Sequence, residues 1–397
     1  MCRIHTNPIH EKSSIMKNLN SRPLAGSVFS SRFNLALCAA LLGLSAFNLQ
    51  LSTVFAQGGL TPSAAPAPTM KTLAQIEPRT PISSLPFNIT NAGSYYLTTN
   101  LTGLVGVTNG ITISAGDVTL DLMGFALVGG AGDGIRVSVT CTNIAVRNGT
   151  VRGWTGDGVD SANASNGQYQ DLRLSANGSR GLVCGPKSTV VNCTAQSNTG
   201  NGIQAGLGTT VSGCAAADNG VNGIVVSSGS TVSGCTAQGN TLNGIAASGL
   251  GSTVSGCTAS YNTGDGIVTG TGGSTVSGCT AAYNTGDGIE SSSDCHVVGN
   301  NCHNNGNGGD SAGIHATGGG NRIDGNHVTD NDRGIDVDLA GNLIIRNSAG
   351  GNTTSNYDIV AANKVGVIVA APDSMAIIGS TGGAGVGTTD PWANISF

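Results

Sequence analysis

The chain is poor in the residues that most proteins use for recognition. Charged side chains make up only 10% of the sequence and aromatics only 4%. Leu, Glu, Lys and Gln are too scarce for a helical protein. No Gly-X-Y triplet persists, so the 63 glycines do not make a collagen, and Val and Ile recur too regularly for a disordered chain. A net charge of −5 with no basic stripe excludes an ordinary nucleic-acid binder. What remains is a chain of Gly, Ser, Thr, Asn and Ala punctuated by β-branched residues.

One long apolar run is present, at the N-terminus. The stretch "RFNLALCAALLGLSAFNLQLSTVFAQ" follows Lys17 and Arg22 and begins at Arg32. Its apolar core spans 35–47, and Val54 and Ala56 occupy the −3 and −1 positions of a cleavage site. Residues 1–56 therefore read as an export signal, with Met16 as an alternative start. A membrane span is the competing reading, but Asn34, Asn48 and Gln50 interrupt a segment already short for one. Leu37 and Cys38 sit too early in the run for a lipoprotein site. Residues 57–80, with "GGLTPSAAPAPTM", read as a linker. The boundaries expected beyond it are a repeat domain over 81–370 and a Gly/Thr-rich tail over 371–397.

The repeat is explicit. "STVSGCTASYNTGDGIV" begins at Ser252, and "STVSGCTAAYNTGDGIE" begins 22 residues later, at Ser274. The cysteine of this phrase recurs at Cys193, Cys214, Cys235, Cys257 and Cys279, then becomes Asn300, Asn326 and Asn347. Five residues after each comes an asparagine: Asn198, Asn219, Asn240, Asn262, Asn284, Asn305, Asn331 and Asn352. Leu172 with Asn177 supplies an earlier unit. Gly-Ile pairs follow at Gly202, Gly223, Gly244, Gly266, Gly288, Gly313 and Gly334. Three short strands per unit, broken by Gly and Asn, predict one turn of an all-β solenoid with about 21–22 residues per coil. Val254, Ala259 and Ile267 should face inward and Ser255 and Thr258 outward. A leucine-rich repeat has a similar period, but the stretch where its leucines and convex segment would fall reads "TGDGIVTGTGGSTVSG".

The pattern V-x-G-[C/N]-x-A-x-x-N-x-x-x-G-I resembles the right-handed parallel β-helix repeat of the pectin-lyase-like superfamily. It is plain over 172–352 and looser over "GITISAGDVTLDLMGFALVG" and "NIAVRNGTVRGW". The segments "PISSLPFNITNAGSYYLTTNLTG" and "GVGTTDPWANISF" resemble those of a group of secreted bacterial β-helix proteins. The resemblance implies a single right-handed parallel β-helix, exported to the periplasm, the cell surface or the medium. It is nearly silent on function, because the fold hosts lyases, hydrolases, epimerases, adhesins and inert scaffolds. The polygalacturonase-like set Asn-Thr-Asp, Asp-Asp, Gly-His-Gly and Arg-Ile-Lys is missing, and "NRIDG" is its nearest approach. The Asp-Pro-His motif of uronate epimerases is also missing, since "TDPWA" lacks the histidine. No calcium-binding Asp set with a following Arg, as in pectate lyases, can be traced.

Each ladder has a structural and a functional reading. The asparagines read as buried turn residues that satisfy backbone groups. The cysteines form a line rather than a metal-binding cluster and read as buried, metal-free packing. Nine cysteines remain without Cys2 and Cys38, an odd number, and neighbouring rungs are close enough for some to pair. Asp265 and Asp287, in register with Asn201, Asn222 and Asn243, read as Asx turns; calcium is the alternative, with no complete ligand set to support it. Tyr261 and Tyr283 are in register and make either a buried stack or an exposed platform for a sugar ring.

Charge is concentrated late, from Asp294 to Arg346. The residue after each Gly-Ile pair is Glu290, His315 and Asp336 in three successive coils, which predicts a candidate acid/base column at an outward position with little packing. His296, Arg322 and Asp324 are candidate substrate-binding residues on another sheet, alongside Tyr261 and Tyr283. The competing reading is a merely polar, solvated face around an insertion at 305–312. The expected role is a glycan-binding or structural rod, with an extracellular or envelope polysaccharide as partner, no cofactor, no nucleic acid and no membrane span after signal removal. Two alternatives stand beside it. One is a lyase, hydrolase or epimerase acting on an acidic glycan, and the other is a self-assembling surface or adhesion rod.

Overall fold

The computed structural model describes residues 78–104, 106, 109–370 and 389–397. All of them belong to one unit, Met70–Phe397. The expected signal at 1–56 and nearly all of the linker lie outside the described residues.

The described residues form strands and no helices, as the scarcity of helix formers predicts. One coil shows how. Thr253–Ser255, Thr258–Ser260 and Ile267–Thr269 are its three strands. Each pairs in parallel with its copy in the next coil, Val254 opposite Val276, Ala259 opposite Ala281 and Ile267 opposite Ile289. Alternation along each strand sends Val254, Ala259 and Ile267 fully into the core, while Thr258 is exposed and Ser255 half-buried. The third strands stack into a 13-stranded parallel sheet running from Phe87–Ile89 to Ser355–Ile359. First and second strands stack beside each other in a larger sheet, giving a right-handed solenoid.

Strands of three residues leave many turn N–H and C=O groups inside the rod, and each needs a partner. The asparagine ladder supplies it. Asn262 Oδ1 accepts from the backbone N–H of Asn240 at 3.0 Å and from its side-chain Nδ2 at 2.9 Å. Its own Nδ2 donates to Ala237 O at 3.3 Å and to Asn284 Oδ1 at 2.9 Å. The same pattern runs from Asn177 to Asn352, where Asn356 takes the last bond.

The cysteine position obeys the same rule. Cys279 Sγ accepts from the N–H of Cys257 at 3.5 Å, and Asn300 Oδ1 accepts from the N–H of Cys279 at 2.9 Å. Thiol and amide therefore fill one acceptor slot, which explains why they interchange. The nine described cysteines are all free, and only Cys141 is not fully buried. Burial pushes Cys184 up to about 12, and the neighbouring Cys193 thiol with burial pushes Cys214 up to about 12.

Asp265 and Asp287 differ from the expected Asx turns. Each carboxylate accepts from the same turn position one coil later: Asp265 Oδ1 from Asp287 N–H at 2.7 Å, and Asp287 Oδ1 from Ala312 N–H at 2.6 Å. The bond spans coils because in-register stacking brings each carboxylate beside the N–H of the matching turn one coil later. Asn201, Asn222 and Asn243 form the preceding rungs, and Asn109, Asp133 and Asp157 carry the pattern toward the N-terminus.

Two features finish the rod. Near its start, Trp154 is buried in a hole walled by glycines; a Cβ on Gly130 would stand 2.3 Å from its ring. At its end, Asn394–Ser396 pairs with both Ser348–Gly350 and Ile368–Ala370, and Asn394 Oδ1 accepts from Asn347 N–H at 2.9 Å. The last segment of the expected tail thus supplies a further rung.

Candidate functional site

Gly-Ile sets the phase of the third strand, so the residue after Ile points away from the core. Register places Glu290 opposite His315, His315 opposite Asp336, and Asp336 opposite Asp358. The column is thus one rung longer than Glu290, His315 and Asp336. Asp358 escapes a search for Gly-Ile because its coil reads "SNYDI".

The position is not a lightly packed surface. His315 is only 8% exposed, and Asp336 and Asp287 are buried. Side chains from adjoining turns close over the imidazole. His315 Nδ1 lies 2.9 Å from Asp287 Oδ2, and Nε2 lies 3.1 Å from Asp338 Oδ2, while Asp336 Oδ2 stands off at 4.0 Å. The carboxylates that hold the ring are therefore Asp287 and Asp338 rather than Glu290 and Asp336. Asp338 was legible as the next residue on the same face of the strand; Asp287 was visible but assigned to a turn. Arg333 closes the other side, pairing with Asp310 of the 305–312 insertion, with Asp336 Oδ2 at 3.2 Å and with Asp358 Oδ2 at 3.4 Å.

These contacts fix the charges. The bond to Asp287, opposed by burial and aided by Asp338, raises His315 to about 9, so the ring is an imidazolium at neutral pH. Burial pushes Asp336 up to about 6. Burial also raises Glu290 and Asp265, with carboxylate repulsion adding to both. An imidazolium with both nitrogens occupied is poorly placed to move a proton. Asp336 and Glu290 are the better-tuned groups.

Two sets have ligand atoms within 4.8 Å of one another: Asp310, His315, Asp336 and Asp338, and Asp265, Asp287 and Glu290. In the first, protonation of His315 removes the imidazole as a ligand. The second offers oxygens suited to a hard cation, but Asp265 and Asp287 each already accept a backbone N–H.

His296 and Arg322 also share a register position, opposite each other on first strands. Their sheet is the larger one, so the structure does not join them to the His315 column. Asp324 lies between Arg322, 2.7 Å away, and Arg346, and the Arg346 guanidinium lies 5.2 Å from the centre of the Trp392 ring. Hydrogen bonds from the Arg346 and Arg322 guanidiniums hold Asp324 below the usual carboxylate range. Arg346 was legible only as the end of the charged stretch, and its contact with Trp392 was missed because Trp392 enters from the tail.

Tyr261 and Tyr283 resolve into an exposed pair. Their rings stack at 5.0 Å between centroids and 3° between planes, with 56% and 45% of each residue accessible. Both sit at a turn with φ of 57°, which turns the rings outward beyond the second strand. His303 meets Tyr283 edge-on at 5.6 Å. Three residues separate each tyrosine from Asp265 or Asp287 of the same coil.

Among the described residues no helix is long and apolar enough to cross a membrane. No curated protein sequence matches the chain. Among solved structures it is similar to the A-module of the mannuronan C-5 epimerase AlgE4 of Azotobacter vinelandii, with a TM-score of 0.50 and 14% identity over 62% of this chain and 79% of that one. The AlgE6 A-module of the same organism gives a TM-score of 0.49 and 15% identity over 69% and 89%. At such identities the likeness is one of fold alone. Residues 109–253 and 248–353 match the family model described as the right handed beta helix region, which is more than half of the sequence. With its ladders, its parallel register and this match, the chain belongs to the right-handed β-helix family.

Proposed function

We propose that this protein is an exported β-helix rod that binds a carbohydrate on the face bearing Tyr261 and Tyr283. The observation that carries the reading is the ring pair itself: two parallel, stacked and half-exposed tyrosines in a chain with 4% aromatics. The exposed edge of this stack is an apolar strip against which the C–H groups of a pyranose can pack, and the polar groups around it can orient hydroxyls. The leader read at 1–56 supports an extracytoplasmic site, and the fold shared with a mannuronan C-5 epimerase module is compatible with a carbohydrate ligand.

Tyr261→Asn with Tyr283→Asn tests this, because Asn304 fills the same turn position with a similar φ of 53° and the substitution keeps the backbone. Binding to a broad glycan panel should fall at least about tenfold, with an unchanged melting curve. Undiminished binding would remove the platform from the function.

A second reading, an enzyme on a polysaccharide, is favoured by one observation. Asp336 at about 6 and the raised Glu290 stand on either side of His315 in the column. Turnover lost in Glu290→Gln or Asp336→Asn, with binding retained, would support it.

A further inference from the structure

The platform belongs to a longer column. The turn position after the second strand is filled in six successive coils by Asp218, Gly239, Tyr261, Tyr283, Asn304 and Asp330, all with positive φ. Their N–H groups bind Gln238, Ser260, Ala282, His303, Thr329 and Gly350 in turn, each the last residue of the next coil's second strand. A shared backbone conformation projects these side chains in one direction. At about 4.8 Å per coil, Asp218 and Asp330 stand about 10 Å below and above the ring pair. Both are exposed. Asp218 accepts from Gln196 Nε2 at 3.3 Å, and Asp330 faces His303 Nδ1 at 3.3 Å.

The surrounding charge is one-sided. Residues 188–321 contain no Lys or Arg, but hold Asp218, Asp265, Asp287, Glu290, Asp294 and Asp310. In the coil of Asp330 the guanidiniums of Arg322 and Arg333 are taken by Asp324, Asp336 and Asp358. A polyanion laid along the column would meet the Asp218 and Asp330 carboxylates, with only the His303 imidazole set against Asp330, so Coulomb repulsion disfavours it. A protonated amine would find an exposed carboxylate at either end of an apolar shelf.

Resting on the carbohydrate reading of Tyr261 and Tyr283, we propose that the ligand is a linear glycan carrying free amines, lying parallel to the rod axis. Its sugar rings pack against the exposed edge of the tyrosine stack, and its amines pair with Asp218 and Asp330.

The test is calorimetric titration of the full chain with short oligomers of glucosamine, of N-acetylglucosamine and of a uronic acid. Mildly acidic buffer keeps the amines protonated. The glucosamine oligomer should bind at least about tenfold more tightly than the N-acetylated one, and salt should weaken it. Asp218→Asn with Asp330→Asn should abolish the preference, and the double tyrosine variant should abolish binding. Equal or tighter binding of the N-acetylated or uronic oligomer, lost in the tyrosine variant, overturns the amine class and leaves the platform standing. Glucosamine binding that survives loss of both tyrosines, or no binding of any oligomer, overturns both readings.

Discussion

His315 Nδ1 lies 2.9 Å from Asp287 Oδ2, and both side chains are buried, so this outward rung is packed like an interior one. Removing the imidazole leaves Asp287 buried without its counter-charge. His315→Ala should cost about 3 kcal/mol in chemical denaturation, the usual scale for a broken buried pair. His315→Gln, which keeps a donor but no charge, should cost less.

The same cluster sets a pH dependence. Relative to ordinary values of about 6.5 for His and 3.9 for Asp, His315 is raised to about 9 and Asp336 to about 6. A raised folded pKa contributes stability that is complete below the unfolded value and is lost as pH rises through the folded one. Melting temperature should therefore fall as pH passes about 6 and again toward about 9. Asp157 and Asp324 are lowered, so their contribution disappears as pH drops below about 4. Differential scanning fluorimetry across this range checks the shape. Asp336→Asn should remove the step near 6 and leave the one near 9.

The interchange of thiol and amide makes a sharper test. Cys279→Asn should change stability by less than about 1 kcal/mol, because Asn300 already fills the slot one coil on. Cys279→Ala should cost about 1–3 kcal/mol by leaving the Cys257 N–H unpaired in the core. Thiol reagents should label the buried cysteines only after denaturant is added, and early labelling of Cys235 would contradict the packing seen here.

Asn262→Ala removes the acceptor for Asn240 and the donors to Ala237 and Asn284 in one step. Denaturant titration should show a loss of about 3 kcal/mol, from several polar groups left unsatisfied. Combined with Asn284→Ala, the cost should be less than the sum, since the bond between them is counted only once.

The fold was legible because stacking writes it into the sequence at a fixed period. Asn198 to Asn352, Val254 and Ile267 all occupy the positions their spacing assigns. The site was only half legible. Register could align Glu290, His315 and Asp336, since it depends on counting. It could not show which carboxylates fold over the ring, because Asp287 and Asp338 reach His315 from a turn and a strand end rather than along the ladder. Nor could counting show whether Tyr261 and Tyr283 were buried, since a left-handed turn decides which way a side chain leaves the coil. Trp392 illustrates a third limit: it reaches Arg346 from a segment with no repeat to count.

The rung-to-rung bonds also make the length of this rod a separable quantity. Asn240, Asn262 and Asn284 present the same atoms upward and downward, so the surface a coil offers its neighbour does not depend on which coil it is. Residues 252–273 form one such unit, and their excision would bring Asn240 onto Asn284 and Cys235 onto Cys279 with the asparagine and cysteine ladders intact, though it would leave Tyr283 without Tyr261. A gene encoding this chain can therefore gain or lose coils by unequal recombination without redesigning a core. Such a change would alter how far apart Asp218 and Asp330 stand, and leave the chemistry at each end as it was.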